Sequence, residues 1–444
     1  MIPTRLAIDI GTSSTRAIVV DDQQQVVCSA SEPLDIQRLD DNRVEQNARQ
    51  ILQATSQVIG AVLHQCRQEN RQVVEAGMAT QRSSVLLWDR STGIPLTPLL
   101  SWRDRRTSNW LQQQSWDQDQ LMCTTGLPLS PHYGASKIRW LLRNSPGVST
   151  THQLAAGPLA AFLLHQLTQE STFAIDVTNA ARMQLVDLRF PCCWDAELLA
   201  KFDVPDHVLP PIRPSRHQYG TLSMNRDAPI PLRLVCGDQF AALHAEDDRS
   251  SAPVLLNLGT GGFVLVATES MPPPVTKLLR SPGAANEYVL EGTINGAGAA
   301  IDWAARRWGL DPRKLPWDAW ELGPPTDLKF VNFVGGRGSP LWQSTGRSYW
   351  IDDSDVEQDP IDVRACMLAV VDSIADLVVE NLIEMRRLGM PCDHIRITGG
   401  LSNLNYLRRR IVDRCQCRVD RAARTEATAH GVINLLKQEM LIKS

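Results

Sequence analysis

The stretch LAIDIGTSSTRAIVVDD, Leu6–Asp22, and the stretch VLLNLGTGGFVLVAT, Val254–Thr268, share one pattern. In each, an apolar run leads to Asp or Asn, one apolar residue, Gly-Thr and small residues, and a second apolar run follows. This pattern is typical of a β-hairpin whose turn brings backbone amides close to a ligand. One such turn would indicate only an ordinary hairpin. Because a similar turn opens each half of the chain, we infer an internal duplication.

The segments around these hairpins alternate between strand and helix patterns. Val73–Gln81 has the pattern of a strand, and Asn47–Gln68 has the period of an amphipathic helix. In the second half, Asp362–Gly389 predicts a helix, and His394–Gly400 predicts a strand that runs into a glycine turn. Strands that alternate with helices predict an α/β fold.

The length of 444 residues exceeds what one ordinary core supports, so two domains are expected. Polar and turn-forming residues cluster at Glu246–Pro253. We therefore predict an N-terminal domain of residues 1–247 and a C-terminal domain of residues 248–444.

Composition excludes several classes of partner. A net charge of −4 and an isoelectric point near 6.2 give no electrostatic footprint for nucleic acid or an anionic membrane surface. No apolar run is long enough to span a bilayer, and the chain opens on a strand pattern instead of a leader. The ten cysteines show no paired spacing of a zinc site. We expect a cytoplasmic protein without a nucleic-acid or membrane partner.

The stretch CGDQFAAL, Cys236–Leu243, places a carboxylate directly after the apolar run IPLRLV. Asp238 could cap the helix that follows, because Asp readily accepts the unpaired amides of a first turn. It could also be a general base at the end of a strand, where α/β folds place their sites. The stretch alone leaves both interpretations open.

Three glycine-bearing turns could bind phosphate: Gly11–Ser14, Gly259–Gly262 and Gly399–Gly400. Glycine permits close backbone approach, and amides with Thr or Ser hydroxyls suit anionic oxygens. The sequence GxxxxGK[ST] does not occur, so none of them is a Walker motif. Asp9 follows the first apolar run, where it could hold magnesium through water or bond its own turn.

Nine stretches distributed from residue 5 to about residue 435 carry a family resemblance. They are IDIGTSSTRAIVVDD, GMATQRSSVLLWDRSTGIPL, SWRDRRT, SKIRWLLRN, DVTNAARMQLVDL, CGDQFAALHA, NLGTGGFVLV, LEGTINGAGAAIDW and RITGGLSNLNYLRR. In these stretches the chain resembles the FGGY carbohydrate kinases, and it is most similar to the glycerol kinases among them. The stretches follow the order of that family at roughly its spacing.

The resemblance implies a fold and an activity. The fold would be α/β, with two actin-like (ribonuclease-H-like) domains and an interdomain cleft for ATP and the acceptor. The activity would be ATP-dependent transfer of the γ-phosphoryl group to a primary hydroxyl of a small polyol or sugar, with Mg²⁺ as cofactor. The N-terminal domain would supply the acceptor site and the base, and the C-terminal domain the nucleotide site.

The resemblance also assigns individual residues. It makes Asp238 the catalytic general base, which must lie within hydrogen-bond reach of the acceptor hydroxyl. It assigns nucleotide contacts to Thr12, Ser13, Arg16, Gly259, Thr260, Gly261, Gly399 and Gly400. It assigns acceptor contacts to Arg82, Ser83, Trp102, His132, Asp238, Gln239 and Phe263. It assigns the metal to Asp9 and Asp238.

Other interpretations remain for three of these residues. Arg16 could be a plain surface cation. Trp102 and Phe263 could supply apolar walls for the carbon backbone of an acceptor, or they could be core aromatics.

The chain departs from the glycerol kinase pattern mainly on the acceptor side. Ser83 stands where those enzymes have Glu, and Phe240 where a polar residue is usual. His132 stands where they have Tyr, although a shift of one residue would match the adjacent Tyr133 instead. Gln343 and Thr398 each replace an Asp. A buried carboxylate that binds hydroxyls discriminates strongly between ligands, so its loss at Ser83 predicts an altered or broader acceptor range.

Two further classes of function compete with a kinase. One is a non-catalytic nucleotide-binding regulator on the same duplicated fold, which the intact Asp238 disfavours. The other is an actin-like ATPase with a macromolecular partner, which would have no need of a sugar pocket. No sequence signal decides the oligomeric state, so a homo-oligomer stays open.

Overall fold

The computed structural model describes residues 2–146, 148, 153–222, 229–246, 254–274, 277–324, 326–343, 345–422 and 426–438. The strands are β1 (Ile2–Ile10), β2 (Ser14–Asp21), β3 (Val26–Pro33), β4 (Gln37–Arg38), β5 (Val44–Gln46), β6 (Arg71–Thr80), β7 (Val85–Asp89), β8 (Leu99–Leu100), β9 (Leu154–Pro158), β10 (Ile175–Asp176), β11 (Ile212–Arg213), β12 (Thr221–Leu222), β13 (Ile230–Gly237), β14 (Val254–Leu258), β15 (Gly262–Thr268), β16 (Leu279–Pro282), β17 (Tyr288–Ile294), β18 (Lys329–Val331), β19 (Tyr349–Ile351), β20 (Glu357–Gln358), β21 (His394–Thr398) and β22 (Arg418–Arg421). The α-helices are α1 (Ala48–Gln68), α2 (Ser108–Gln112), α3 (Gln118–Thr125), α4 (Gly134–Asn144), α5 (Leu159–Leu167), α6 (Val177–Ala181), α7 (Ala196–Phe202), α8 (Asp238–Leu243), α9 (Gly298–Arg307), α10 (Trp317–Glu321), α11 (Val363–Arg387), α12 (Asn405–Cys415) and α13 (Ala427–Lys437). Strands and helices alternate, as expected for an α/β protein.

The chain divides into two compact units. The first comprises Met1–Asp247, Ser281–Glu287 and Glu426–Ser444, and the second comprises Asp248–Arg280 and Tyr288–Thr425. Of the predicted boundary segment Glu246–Pro253, residues 247–253 lie outside the described residues. The last helix, α13, returns to the first unit.

Five strands of the main sheet have the same topology in both units: β3-β2-β1-β6-β13 in the first corresponds to β17-β15-β14-β21-β22 in the second. The sixth strand differs, because β12 lies beyond β13 and β16 lies beyond β17. In the first, the order is β12-β13-β6-β1-β2-β3, with β1 antiparallel to β2 and parallel to β6. In the second, the order is β16-β17-β15-β14-β21-β22, with β14 antiparallel to β15 and parallel to β21. Each sheet thus begins with the hairpin that the sequence predicted. The repeated order confirms the internal duplication.

Helix α1 illustrates how sequence pattern becomes packing. Asn47 caps it, because its side chain accepts the backbone N–H groups of Arg49 and Gln50 at 3.0 and 3.3 Å. Its apolar residues recur every three or four positions and form one buried face against β2 and β3: Ala48, Ile51, Ala54, Val58, Ile59, Val62, Leu63 and Cys66. The predicted helix is confirmed, with Asn47 as its cap.

None of the helices in the described part of the chain combines the length and apolarity that crossing a bilayer requires.

Two helical glycines are expected to respond in opposite ways to alanine. A Cβ atom at Gly431 in α13 would overlap the backbone carbonyl of Ala241 in α8, whereas Gly60 in α1 is exposed with open space around it. Overpacking costs about 1–3 kcal/mol, so Gly431→Ala should lower the midpoint of urea unfolding. Gly60→Ala should raise it, because alanine gains about 0.5–1 kcal/mol over glycine inside a helix. Equal shifts in both variants would contradict the close packing of α13 on α8.

Candidate functional site

Two carboxylates of the first unit lie at the carboxyl ends of parallel strands in its main sheet. Strands β1 and β13 both run parallel to β6, and their last residues, Ile10 and Gly237, both pair with Thr80. Asp9 therefore lies near the end of β1 at the level where Asp238 follows β13. Gly237 occupies the N-cap of α8, and Asp238 is the first helical residue. Asp238 Oδ1 still accepts a first-turn amide, the Gln239 N–H at 2.7 Å, but it does so from the first helical position and not from the N-cap.

The Asp9 carboxyl group lies in an electrostatically unfavourable place. Its pKa is raised to about 7, first by burial and then by the charge of Asp238, while the charge of Arg16 opposes the rise. A divalent cation near both carboxylates would relieve their repulsion. No cluster of three or more His, Cys, Asp or Glu side chains suited to a metal occurs among the described residues. Magnesium usually takes only one or two carboxylates and completes its shell with water and phosphate, so this pair fits Mg²⁺.

Arg82 is held beside Asp238 by three contacts. Its Nε lies 3.9 Å from Asp238 Oδ1, and its guanidinium group stacks over the Phe240 ring, 4.5 Å from the centroid. Its aliphatic chain packs so closely on Gly237 that a Cβ atom there would overlap it. Phe240, which departs from the glycerol kinase pattern, is fully buried, and its ring packs against the Arg82 guanidinium group.

Trp102 is connected to the first glycine turn. Its indole Nε1–H donates to Thr12 Oγ1 at 2.9 Å, and its backbone N–H donates to Ser84 Oγ at 3.0 Å. The ring is half-buried and lies 5.5 Å from the ring of His132, centroid to centroid. These contacts hold the half-buried ring between the first turn and His132, so the core interpretation does not apply to Trp102.

His132 stands among cations. Burial and then the charges of Arg105, Lys137, Arg182 and Arg82 hold its pKa well below the ordinary value. The imidazole is therefore neutral at neutral pH, and one ring nitrogen is free of a proton.

Sequence reasoning missed a buried polar network beneath the first turn. Gln81 donates to the carbonyl oxygen of Gly11 at 3.1 Å and to Gln46 Oε1 at 3.0 Å, while Gln46 donates to the carbonyl oxygen of Thr12 at 2.9 Å. Ser84 Oγ donates to Gln81 Oε1 at 3.0 Å. Gln81 could have been found, because it follows β6 as Asp238 follows β13. Gln46 could not, because nothing local indicates its partners.

Ser83 has an unusual environment. Its side chain is fully buried, its backbone φ is +63°, and its Oγ has no hydrogen-bond partner among the described residues. A larger acidic side chain therefore has no open space at this position without rearrangement.

In the second unit, two predicted glycine turns lie side by side. The turn Gly259–Gly261 follows β14, and its carbonyl oxygens accept the first amides of α9, from Gly298 and Ala299, both at 2.9 Å. Gly399 follows the parallel neighbour β21 with φ +83°, and a Cβ atom there would overlap the carbonyl of Leu258. Thr260 and Gly400 are exposed beside these contacts.

Three further predicted site residues lie in or next to the glycine turns in sequence. Arg16 forms an ion pair with Glu426, with Nη1 2.6 Å from Oε2, and its side chain is 41% exposed. Ser13 is exposed in the first turn, where its carbonyl oxygen accepts the Leu34 N–H at 2.9 Å. Phe263 is half-buried on β15 of the second unit.

Comparison with known proteins identifies both units. The N-terminal domain of the FGGY family of carbohydrate kinases matches residues 4–243, and its C-terminal domain matches residues 254–436. A glycerol kinase of Alcanivorax borkumensis is 33% identical over 98% of this chain and 89% of its own length. An apulose kinase of Pectobacterium atrosepticum is 30% identical over the same shares of the two chains.

Solved structures agree on the fold. The Plasmodium falciparum glycerol kinase with ADP has a TM-score of 0.88 at 22% identity, covering 98% of this chain and 89% of that chain. The xylulose kinase of Rhodospirillum rubrum has a TM-score of 0.85 at 18% identity with the same coverage. The actin-like, ribonuclease-H-like fold of each unit is thus confirmed. The protein belongs to the FGGY family of carbohydrate kinases.

Proposed function

We propose that this kinase transfers the γ-phosphoryl group of ATP to a primary hydroxyl of a small polyol or ketose, with Asp238 as the general base. The observation that carries the proposal is the Asp238 carboxylate at the end of β13, with the Arg82 Nε 3.9 Å from it. The relatives named above act on glycerol, apulose and xylulose, all small polyhydroxylated molecules.

In the proposed reaction, Asp238 accepts the proton of the acceptor hydroxyl as its oxygen attacks the γ-phosphorus. The bond between that phosphorus and the β–γ bridging oxygen breaks, and ADP leaves. Phosphoryl transfer needs little covalent work from the protein, so positioning and charge dominate. Arg82 and the neutral His132 would orient acceptor hydroxyls, and Trp102 would cover the carbon chain.

In the first unit, Thr12 and Ser13 would offer amides and hydroxyls to phosphate oxygens. In the second unit, the turn Gly259–Gly261 would do the same, with Gly399 and Gly400 beside it. Asp9 and Asp238 would hold Mg²⁺, directly or through water. When bound, the ion would neutralise negative charge on the phosphates.

The first test is ADP release with Mg-ATP and a panel of acceptors. The panel comprises glycerol, erythritol, xylitol, ribitol, ribulose and xylulose, with an acceptor-free control. We expect at least one acceptor to raise the rate about tenfold or more over the control, because general acid–base catalysis requires a hydroxyl to deprotonate. Release that is independent of every acceptor would indicate an ATPase. ATP binding without any release would indicate a nucleotide-binding regulator.

Asp238→Asn should lower kcat by about 10²-fold or more, because the amide cannot accept the proton. The amide oxygen can still accept the Gln239 N–H, so the melting temperature should change little. Asp203→Asn, which removes an exposed carboxylate paired with Arg143, is the matched control and should keep wild-type turnover. Near-normal kcat in Asp238→Asn would exclude the general-base role.

Thr12→Val should raise the KM for the acceptor as well as the KM for ATP. The sequence assigned Thr12 only to the nucleotide, but its hydroxyl also accepts the Trp102 Nε1–H. Losing that acceptor removes a hydrogen bond worth about 1 kcal/mol that holds the indole ring in place, which corresponds to a rise of about 5-fold in KM. Thr12→Ser retains the hydroxyl and should stay within about threefold of wild type. An effect on ATP alone would show that Trp102 is positioned without Thr12.

A further inference from the structure

Lys137 is a fully buried cation, and its hydrogen-bond partners in the described structure are backbone carbonyl oxygens. Its Nζ donates to the carbonyl oxygens of Ser83 at 2.7 Å, Ser101 at 3.0 Å and His132 at 2.8 Å. An ammonium group has three N–H donors and no acceptor, so these three carbonyls use its whole capacity.

The location of this cation is costly in two ways. Burial lowers the pKa of Lys137 well below its ordinary value, because a charge removed from water is disfavoured. Lys137 is also the fourth residue of α4, close to the helix N-terminus, where the macrodipole disfavours positive charge. A neutral apolar side chain would avoid both costs at this buried position.

Two of the three carbonyls belong to segments that are distant in sequence, 54 and 36 residues from Lys137, and the third lies 5 residues before it. Each segment carries a side chain predicted to contact the acceptor: Arg82 and Ser83 in the first, Trp102 in the second and His132 in the third. Lys137 joins the backbones of all three at one atom.

The contacts at the start of helix α4 fix the position from which the Lys137 side chain extends. The first amides of α4, from Gly134 and Ala135, donate to the carbonyl oxygens of Arg182 and Met183 at 3.2 and 2.8 Å. A Cβ atom at Gly134 would overlap the Met183 side chain, so the start of the helix is packed tightly against this segment.

We propose that Lys137 is a positioning residue that fixes the three acceptor-contacting segments relative to one another. This inference rests on the proposed acceptor site. Lys137 itself touches neither the acceptor nor the phosphates; it acts through the backbone of the residues that do.

Lys137→Met tests the proposal, with Arg139→Met as the matched control. Arg139 is a cation of the same helix that stacks over Trp110, 4.1 Å from the ring centroid, and contacts none of the three segments through a hydrogen bond in the described structure. We expect Lys137→Met to raise the acceptor KM at least tenfold while the ATP KM stays within threefold, and Arg139→Met to change neither. Equal changes in both KM values, or none, would overturn the positioning role.

Hydrogen–deuterium exchange separates this inference from the proposed function, because it requires no turnover. Peptides that cover residues 81–84, 100–103 and 130–133 should exchange faster in Lys137→Met and at the wild-type rate in Arg139→Met. Uniformly faster exchange throughout the first unit, or unchanged exchange, would overturn the inference. If Lys137→Met does not fold, Lys137→Gln, which keeps two N–H donors, is measured in the same way and should show a smaller effect in the same three segments. If the wild-type enzyme releases no ADP with any acceptor, the proposed function fails, and the exchange result still decides the role of Lys137.

Discussion

The register of three parallel strands is the constraint on which the candidate site depends. Because Ile10 and Gly237 both pair with Thr80, the ends of β1 and β13 are level on either side of β6. Neighbouring strands lie about 4.8 Å apart, so the backbones that carry Asp9 and Asp238 are separated by roughly 10 Å. A slip of one residue in β1 would turn the Asp9 side chain to the opposite face of the sheet.

Near these strand ends, the contacts that stabilise buried charged side chains also fix the positions of those side chains. Arg82 stacks on Phe240 beside Asp238, and the Lys137 ammonium group donates hydrogen bonds to three backbone carbonyl oxygens. His132 stays neutral because burial, and then the charges of these and neighbouring cations, lower its pKa. Replacing such groups by apolar residues would often cost a fold little or nothing, so their presence points to a role in arranging the site.

The second unit uses the same hairpin with different chemistry. Asn257 precedes the apolar residue and Gly259 where Asp9 precedes Ile10 and Gly11, so the second turn carries no carboxylate at that position. The parallel neighbour β21 ends in Gly399, whose positive φ and close approach to β14 leave exposed backbone at the edge. The duplicated fold therefore places carboxylates at the strand ends of the first unit and glycines at the strand ends of the second. Carboxylates suit a proton acceptor, and the exposed backbone of glycine turns suits phosphate oxygens.

The sequence alone determined the elements whose signals are local. Both hairpins, helix α1 with its Asn47 cap, the long helix α11 and the carboxylate after β13 follow from periodicity, turn glycines and capping residues within a few positions of one another. Only the tertiary structure decided the partners of the polar groups. Arg16 meets Glu426 across 410 residues of chain, Trp102 meets Thr12 across 90, and Lys137 meets Ser83 across 54. Those pairings depend on strand register and on the direction of each side chain, and no local pattern encodes either for residues so far apart.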